Sequence, residues 1–207
     1  MIEQLIKFFV VFFVVVEPIS LIPLFAGLTQ GASARYKKKM AGKSATIALA
    51  ICVLFALVGA RFLDVMGISL SSFRIAGGTL LFLIALDMVF ARTSGTKSTT
   101  SEKEEAKTRD DISVFPIGIP MIAGPGSIAT AMLSMQSAGS DPVGIGIVVG
   151  AIGLNLVLCA LIFLVSGPLM KIMGENIAGA IARIFGVILS ALAVQLIVDG
   201  LDRKSVV

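Results

Sequence analysis

Two short motifs carry most of the chemistry open to this sequence. Glu17-Pro18-Ile19-Ser20 and Gly124-Pro125-Gly126-Ser127 each interrupt an apolar stretch, and their prolines stand 107 residues apart. Proline has no N–H to donate and its ring clashes with the preceding turn, so a helix reaching Pro18 or Pro125 breaks there. Pro23 repeats the break, Pro116 and Pro120 weaken the turn before the second one, and Gly124 and Gly126 add backbone freedom. A half-helix starting near Ser20 or Ser127 offers free N–H groups and a positive dipole end, which suit a carboxylate. The half-helices ending near Glu17 and Ala123 offer carbonyl oxygens suited to an ammonium, Na⁺ or a proton carrier, and Glu17 adds a formal charge. A donor nest beside an acceptor cluster fits a small zwitterion. The expected binding residues are therefore Glu17, Pro18, Ser20, Gly124, Pro125, Gly126, Ser127 and Thr130, together with Asn155 of the fifth apolar segment, and Glu17 also couples to an ion. The structural alternative is a pair of kinks satisfied by the Ser20, Ser127 and Thr130 hydroxyls.

These motifs need elements that hold them at depth. The 207 residues are 57% hydrophobic and only 14% charged, with a mean hydropathy of +1.00. A soluble domain of this size cannot bury that much apolar surface. Apolar segments run over 5–28, 44–64, 72–91, 112–137, 143–166 and 178–200. Each is near the ~20 residues that cross ~30 Å of hydrocarbon. In the first segment, residues 5–16 make about 18 Å of helix before the break, which places Glu17 near the midplane. Backbone left unpaired at such depth is tolerated only inside protein or along a wet cavity.

The two halves also match elsewhere. Val65-Met66-Gly67 returns as Ile172-Met173-Gly174, and Cys52 as Cys159, at the same 107-residue spacing; Arg74-Ile75-Ala76-Gly77 returns as Arg183-Ile184-Phe185-Gly186. Three segments per half is an odd number, so the copies enter the bilayer in opposite senses. The expected fold is an all-α integral membrane protein of six transmembrane helices. They form two inverted three-helix repeats, 1–91 and 112–207, whose first helices (the first and fourth of the chain) are broken near the midplane. A polar stretch over 92–111, with nearly balanced charge and no apolar periodicity, reads as the cytoplasmic linker. Arg35, Lys37, Lys38, Lys39 and Lys43 crowd the first loop, and keeping them inside puts both termini outside the membrane. The first residues are expected to belong to the mature chain, because Glu17 ends the apolar run far upstream of Ala32-Ser33-Ala34.

Other intramembrane polar residues rank lower. Asn155 sits within the fifth segment where its counterpart Ala48 is apolar, and either cavity lining or a bond across helices would account for it. Asp87 reads as an interfacial residue, Gln195 falls at nearly the matching position of the last segment, and Arg74 and Arg183 read as helix-start anchors. Gly146 and Gly150 have the small-xxx-small spacing of helix packing.

The composition also excludes chemistry. With no histidine, His-based catalysis and His metal sites are absent, and the two cysteines have no CxxC spacing. A serine nucleophile at Ser20 or Ser127 would lack a base, since no lysine lies near either within the broken segments. Nothing supports an enzyme, a cofactor, a structural metal or a nucleic-acid partner; the expected partners are the bilayer and a small zwitterion, with Na⁺ or H⁺ as coupling ion.

Phe73-Arg74-Ile75-Ala76-Gly77-Gly78, Pro120-Met121-Ile122-Ala123-Gly124-Pro125-Gly126-Ser127-Ile128, Glu17-Pro18 with Pro23, Ala182-Arg183-Ile184-Phe185-Gly186, and the stretch from Gln195 to Asp199-Gly200 resemble the MarC / SnatA-type six-helix inner-membrane proteins. The resemblance covers essentially the whole chain. That family commonly has Asp-Pro-x-Gly at the first break, where this chain keeps a carboxylate and replaces the glycine by Ser20. The resemblance implies, for SnatA-type members, cation-driven transport of small neutral amino acids such as glycine and alanine. MarC members carry a multiple-antibiotic-resistance name without a secure role. Export of another solute, a channel, or a non-transporting membrane role stand as alternatives.

Overall fold

The computed structural model describes residues 1–91 and 111–202; all but one residue of the 92–111 linker lies outside them. Every regular element among the described residues is helical. In chain order these are α1 (Ile2–Val16), α2 (Ile22–Leu28), α3 (Ala34–Val65), α4 (Leu70–Val89), α5 (Ser113–Ile122), α6 (Pro125–Ala138), α7 (Pro142–Leu164) and α8 (Ser166–Leu201).

Four helical stretches are long and apolar enough to cross a membrane: α3, α4, α7 and Asn176–Leu201 of α8. A fifth crossing forms if α5 and α6, bent by 58° at their junction, are taken as one. Six were expected. The missing one is α1 with α2, where residues 17–21 separate helices of about 22 Å and 10 Å, neither long enough alone.

The basic residues of the first loop are not in a loop. The Ser33 hydroxyl caps α3 by accepting the Tyr36 amide at 3.2 Å, so the helix begins ten residues before the apolar segment does. At 32 residues, α3 is about 48 Å long and outreaches the hydrocarbon, which carries Arg35, Lys37, Lys38 and Lys39 beyond it. Lys43 pairs with Asp111 just before α5. That ammonium, followed by bonds from the Ser113 hydroxyl and amide, holds the Asp111 carboxyl well below the usual carboxylate range. A depressed folded-state pKa stabilises the fold above the normal carboxylate pKa and loses that contribution as pH falls. Both side chains are over 40% exposed, at 44% and 41%, so Asp111→Asn is expected to cost under about 1 kcal/mol at neutral pH. The gap in thermal unfolding between variant and parent should narrow as pH falls below about 4; a gap that widens in acid would contradict the pairing.

The junctions of the two halves correspond. Gly67 ends α3 at φ 69°, and Gly174 bends α8 at φ 63°, the left-handed region closed to most side chains. Gly31 and Gly139 precede α3 and α7 with φ of 76° and 70°. Ser33 caps α3 and Asp141 caps α7, each accepting the amide three residues on. Packing crosses the halves in matched pairs: α1 lies against α7 and α5 against α3, while α2 touches α8 and α6 touches α4.

The most extensive contact joins α4 to α8, and glycines make it close. A Cβ on Gly78 would stand 2.8 Å from the Ala193 carbonyl oxygen, and one on Gly186 would stand 2.9 Å from Met88 Cβ. Gly146 and Gly150, which the spacing marked for packing, are exposed, and a Cβ on either would meet nothing within 4 Å. Spacing puts two glycines on one face, but only tertiary arrangement decides whether a neighbour lies there. The arginines also differ from expectation. Ser69 caps α4, leaving Arg74 in its second turn, and Arg183 lies seven residues into Asn176–Leu201.

Candidate functional site

The first break is built on a strained carboxylate. The Glu17 amide closes α1 on the Phe13 carbonyl at 2.9 Å, and its backbone then turns left-handed at φ 55°, ψ 55°. Glycine normally takes this C-cap position, and a residue with a Cβ pays for it. Strain retained at a buried acidic residue points to function; Glu17 is 3% exposed. The following turn is tight, with the Ser20 amide donating to the Glu17 carbonyl at 3.0 Å and Ile22 to Ile19 at 3.1 Å. Ser20 therefore does not supply the free amide expected of it, because the chain uses that amide to close its own turn.

The second break differs in backbone. Phe115 and Ile119 are extended, as residues before proline favour, and α5 closes wide turns from Ile117 to Ile112 and from Ala123 to Gly118. Gly124 caps α6 with no side-chain bond, and Pro125 opens it. By helix geometry the Gly126 and Ser127 amides then lack partners within the helix. Gly126 abuts the end of α1: a Cβ there would stand 3.5 Å from Val15 Cγ1 and 2.6 Å from Leu81 Cδ2. The end of α1 thus packs on the start of α6, which brings the two breaks together. Of the expected residues, Pro18, Gly124, Gly126, Ser127 and Thr130 are buried, whereas Pro125 is exposed.

The hydroxyls decide between kink and site. Those of Thr29, Ser44, Thr46, Thr79 and Ser137 each donate to the carbonyl four residues back, the ordinary fate of a hydroxyl in an apolar helix. Ser20 Oγ and Thr130 Oγ1 do not; both are buried with no hydrogen-bond partner among the described residues. Leaving such a group unmade costs about 1–3 kcal/mol, so these hydroxyls do not satisfy the kinks. Asn155 is fully buried and donates from Nδ2 to the Phe9 carbonyl at 2.8 Å, while its Oδ1 is also without a partner. Phe9 lies two turns before Glu17, about 12 Å along α1. Asn155 thus clamps α7 to α1 away from the break itself. No sequence signal marked the Phe9 carbonyl as its partner, since any residue presents a carbonyl.

Asp87 is half-buried, and Gln195 donates to Asp199 at 2.7 Å on an exposed face of α8. Among the described residues no three His, Cys, Asp or Glu side chains converge as a metal site. What the breaks offer a hard cation is oxygen: the Glu17 carboxylate and nearby backbone carbonyls.

Long apolar helices around two proline-broken ones, with polar oxygens sealed inside, define a polytopic membrane protein with an internal polar centre. Comparison places it among known chains. The MarC family of integral membrane proteins matches residues 2–204. A UPF0056 membrane protein of Archaeoglobus fulgidus is 33% identical over 200 residues, covering 96% of this chain and 92% of the relative. One from Methanocaldococcus jannaschii is 38% identical over 189 residues, 91% of each chain. YhcE, a UPF0056 membrane protein of Escherichia coli, is 34% identical over 198 residues, 94% of this chain and 90% of the relative. No solved structure matches. The chain belongs to the MarC family of multi-pass integral membrane proteins, with relatives in both bacteria and archaea.

Proposed function

We propose that this protein is a secondary transporter of small neutral amino acids of the glycine and alanine class, driven by a Na⁺ or H⁺ gradient. One observation carries the reading: buried hydroxyl oxygens with no hydrogen-bond partner among the described residues at both breaks, Ser20 Oγ in the turn between α1 and α2 and Thr130 Oγ1 in α6, while Thr29, Ser44 and Thr79 donate to the carbonyl four residues back. Glu17 holds the coupling ion or the substrate ammonium, and the Gly126 and Ser127 amides hold the carboxylate. The burial of Glu17, Ser127 and Thr130 at 3% each corresponds to an occluded state, closed to both sides. Small size follows from the tight packing around Gly126.

The architecture we assign to this activity is two inverted three-helix repeats, α1–α4 and α5–α8, with α1–α2 and α5–α6 each acting as one broken span. The paired left-handed glycines, the paired caps and the exchanged contacts between halves support it. Both termini then face outside and the 92–111 segment faces the cytoplasm of a bacterial or archaeal cell. Rocking of the broken helices against the rest would alternate access.

The test is uptake of labelled glycine and alanine into proteoliposomes with and without an imposed Na⁺ or H⁺ gradient. Gradient-driven accumulation is expected, and the effective ion identifies the coupling. Folded protein that accumulates neither under either gradient would overturn the assignment.

A further inference from the structure

On the opposite repeat from Glu17, α8 carries an arginine that the site at the breaks does not use. Arg183 is exposed and forms no ion pair among the described residues. A groove of about 270 Å³ surrounds it, lined by Asn176, Gly179, Ala180 and Arg183. The groove has a local cause. Helical side chains lean toward the N-terminus, over the residues three and four positions back. For Arg183 those positions are Ala180 and Gly179, which leave the surface bare, and Asn176 stands one turn further on. A Cβ on Gly179 would meet nothing within 4 Å.

The first repeat shows what a filled version looks like. Opposite Arg183 stands Arg74, with Leu70 and Ser71 in place of Gly179 and Ala180. Arg74 is half-buried and engaged within the molecule, and α8 closes over it at Gly200, where a Cβ would stand 3.2 Å from Arg74 Cβ.

We propose that this groove binds the phosphate of an anionic glycerophospholipid. Arg183 lies about 10 Å along the helix from Asn176, the first residue of the membrane-length stretch. Its side chain, leaning toward that end, reaches the level of lipid headgroups, where guanidinium and phosphate match in charge and geometry. Asn176 donates a second hydrogen bond. On the same face Val187, about 16 Å along the span from Asn176, is exposed and apolar, the start of a track for an acyl chain that Val194 continues past the middle of the span. A soluble phosphate would have no use for that track. The topology proposed above assigns the groove to the cytoplasmic leaflet, but the site stands whichever leaflet holds it and whatever the protein transports.

The experiment uses the full chain purified in neutral detergent and follows thermal unfolding with added phosphatidylglycerol, phosphatidylcholine or glycerol phosphate. Phosphatidylglycerol should raise the midpoint by about 4 °C, as a ligand at roughly tenfold its Kd does for a chain of this size. Phosphatidylcholine and glycerol phosphate should leave it unchanged. Arg183→Gln removes the charge and Gly179→Leu fills the groove from a position where a Cβ meets nothing within 4 Å, and each should reduce the shift below about 1 °C. An equal shift from phosphatidylcholine, or a full shift retained in either variant, overturns the proposal. An equal shift from glycerol phosphate overturns the lipid in favour of a soluble anion.

Discussion

Glu17→Gln is expected to abolish the proposed gradient-driven accumulation of amino acid while the protein folds as before. The exchange keeps the side chain's volume and one carbonyl oxygen, and removes only the charge. Glu17 sits 3% exposed in an apolar protein, with its backbone held left-handed at φ 55°. A carboxylate there is expensive, and inside membranes such residues mark pathways for ions and substrates. Hydrogen bonds to a charged group contribute about 1.5–3 kcal/mol, so binding of an ammonium or cation should weaken roughly tenfold to a hundredfold. Coupling should fail altogether, because a neutral amide neither binds Na⁺ as a carboxylate does nor carries a proton. The unfolding midpoint is to be measured alongside, so that loss of coupling is read on folded protein. Uptake by the variant at the parent's rate and gradient dependence would remove Glu17 from the mechanism.

Gly78→Ala is expected to destabilise the fold at the contact between α4 and α8. The new methyl would stand 2.8 Å from the Ala193 carbonyl oxygen, 2.8 Å from Ile197 Cγ1 and 3.1 Å from the Ile197 nitrogen. Two of these are backbone atoms, so the contact is relieved only by parting α4 from α8. Overpacking of this kind costs about 1–3 kcal/mol, and occasionally more. Replacing a helical glycine by alanine returns up to about 1 kcal/mol of that. The control is Gly150→Ala, where nothing lies within 4 Å and only the gain applies. The Gly78 variant should unfold about 2–8 °C below the parent, and the Gly150 variant at or above it. Equal midpoints for the two would mean that α4 and α8 are not held at the distance described.

Much of the breaks could be read from residue types alone. Proline cannot donate a backbone bond, so Pro18 and Pro125 had to interrupt helices, and both do. What each break does with its amides was not legible. Ser20 and Ser127 occupy matched positions, yet Ser20's amide closes a turn on Glu17, whereas α6 starts at Gly124 without any side-chain cap. The difference arises because Glu17 turns left-handed while Gly124 stays extended, and that choice depends on what packs around each residue. The extent of α3 was misjudged for a related reason. Hydropathy finds where a helix is apolar, but a helix ends where its cap is, and Ser33 lies well outside the apolar run.

The sequence by itself determined that this is a helical membrane protein, that it is written in two matching halves, and that Glu17 lies at a break in one of them. These follow from covalent facts: apolar composition, the geometry of proline, and spacing along one chain. Tertiary structure alone decided which glycines make contacts, Gly78 and Gly186 rather than Gly146 and Gly150. It alone decided that Asn155 reaches Phe9, 146 positions away in the chain. It also decided that the Ser20 and Thr130 hydroxyls are buried without partners. A hydrogen bond or close approach between distant residues is a property of how helices are placed against one another, and no local pattern encodes which face finds a neighbour.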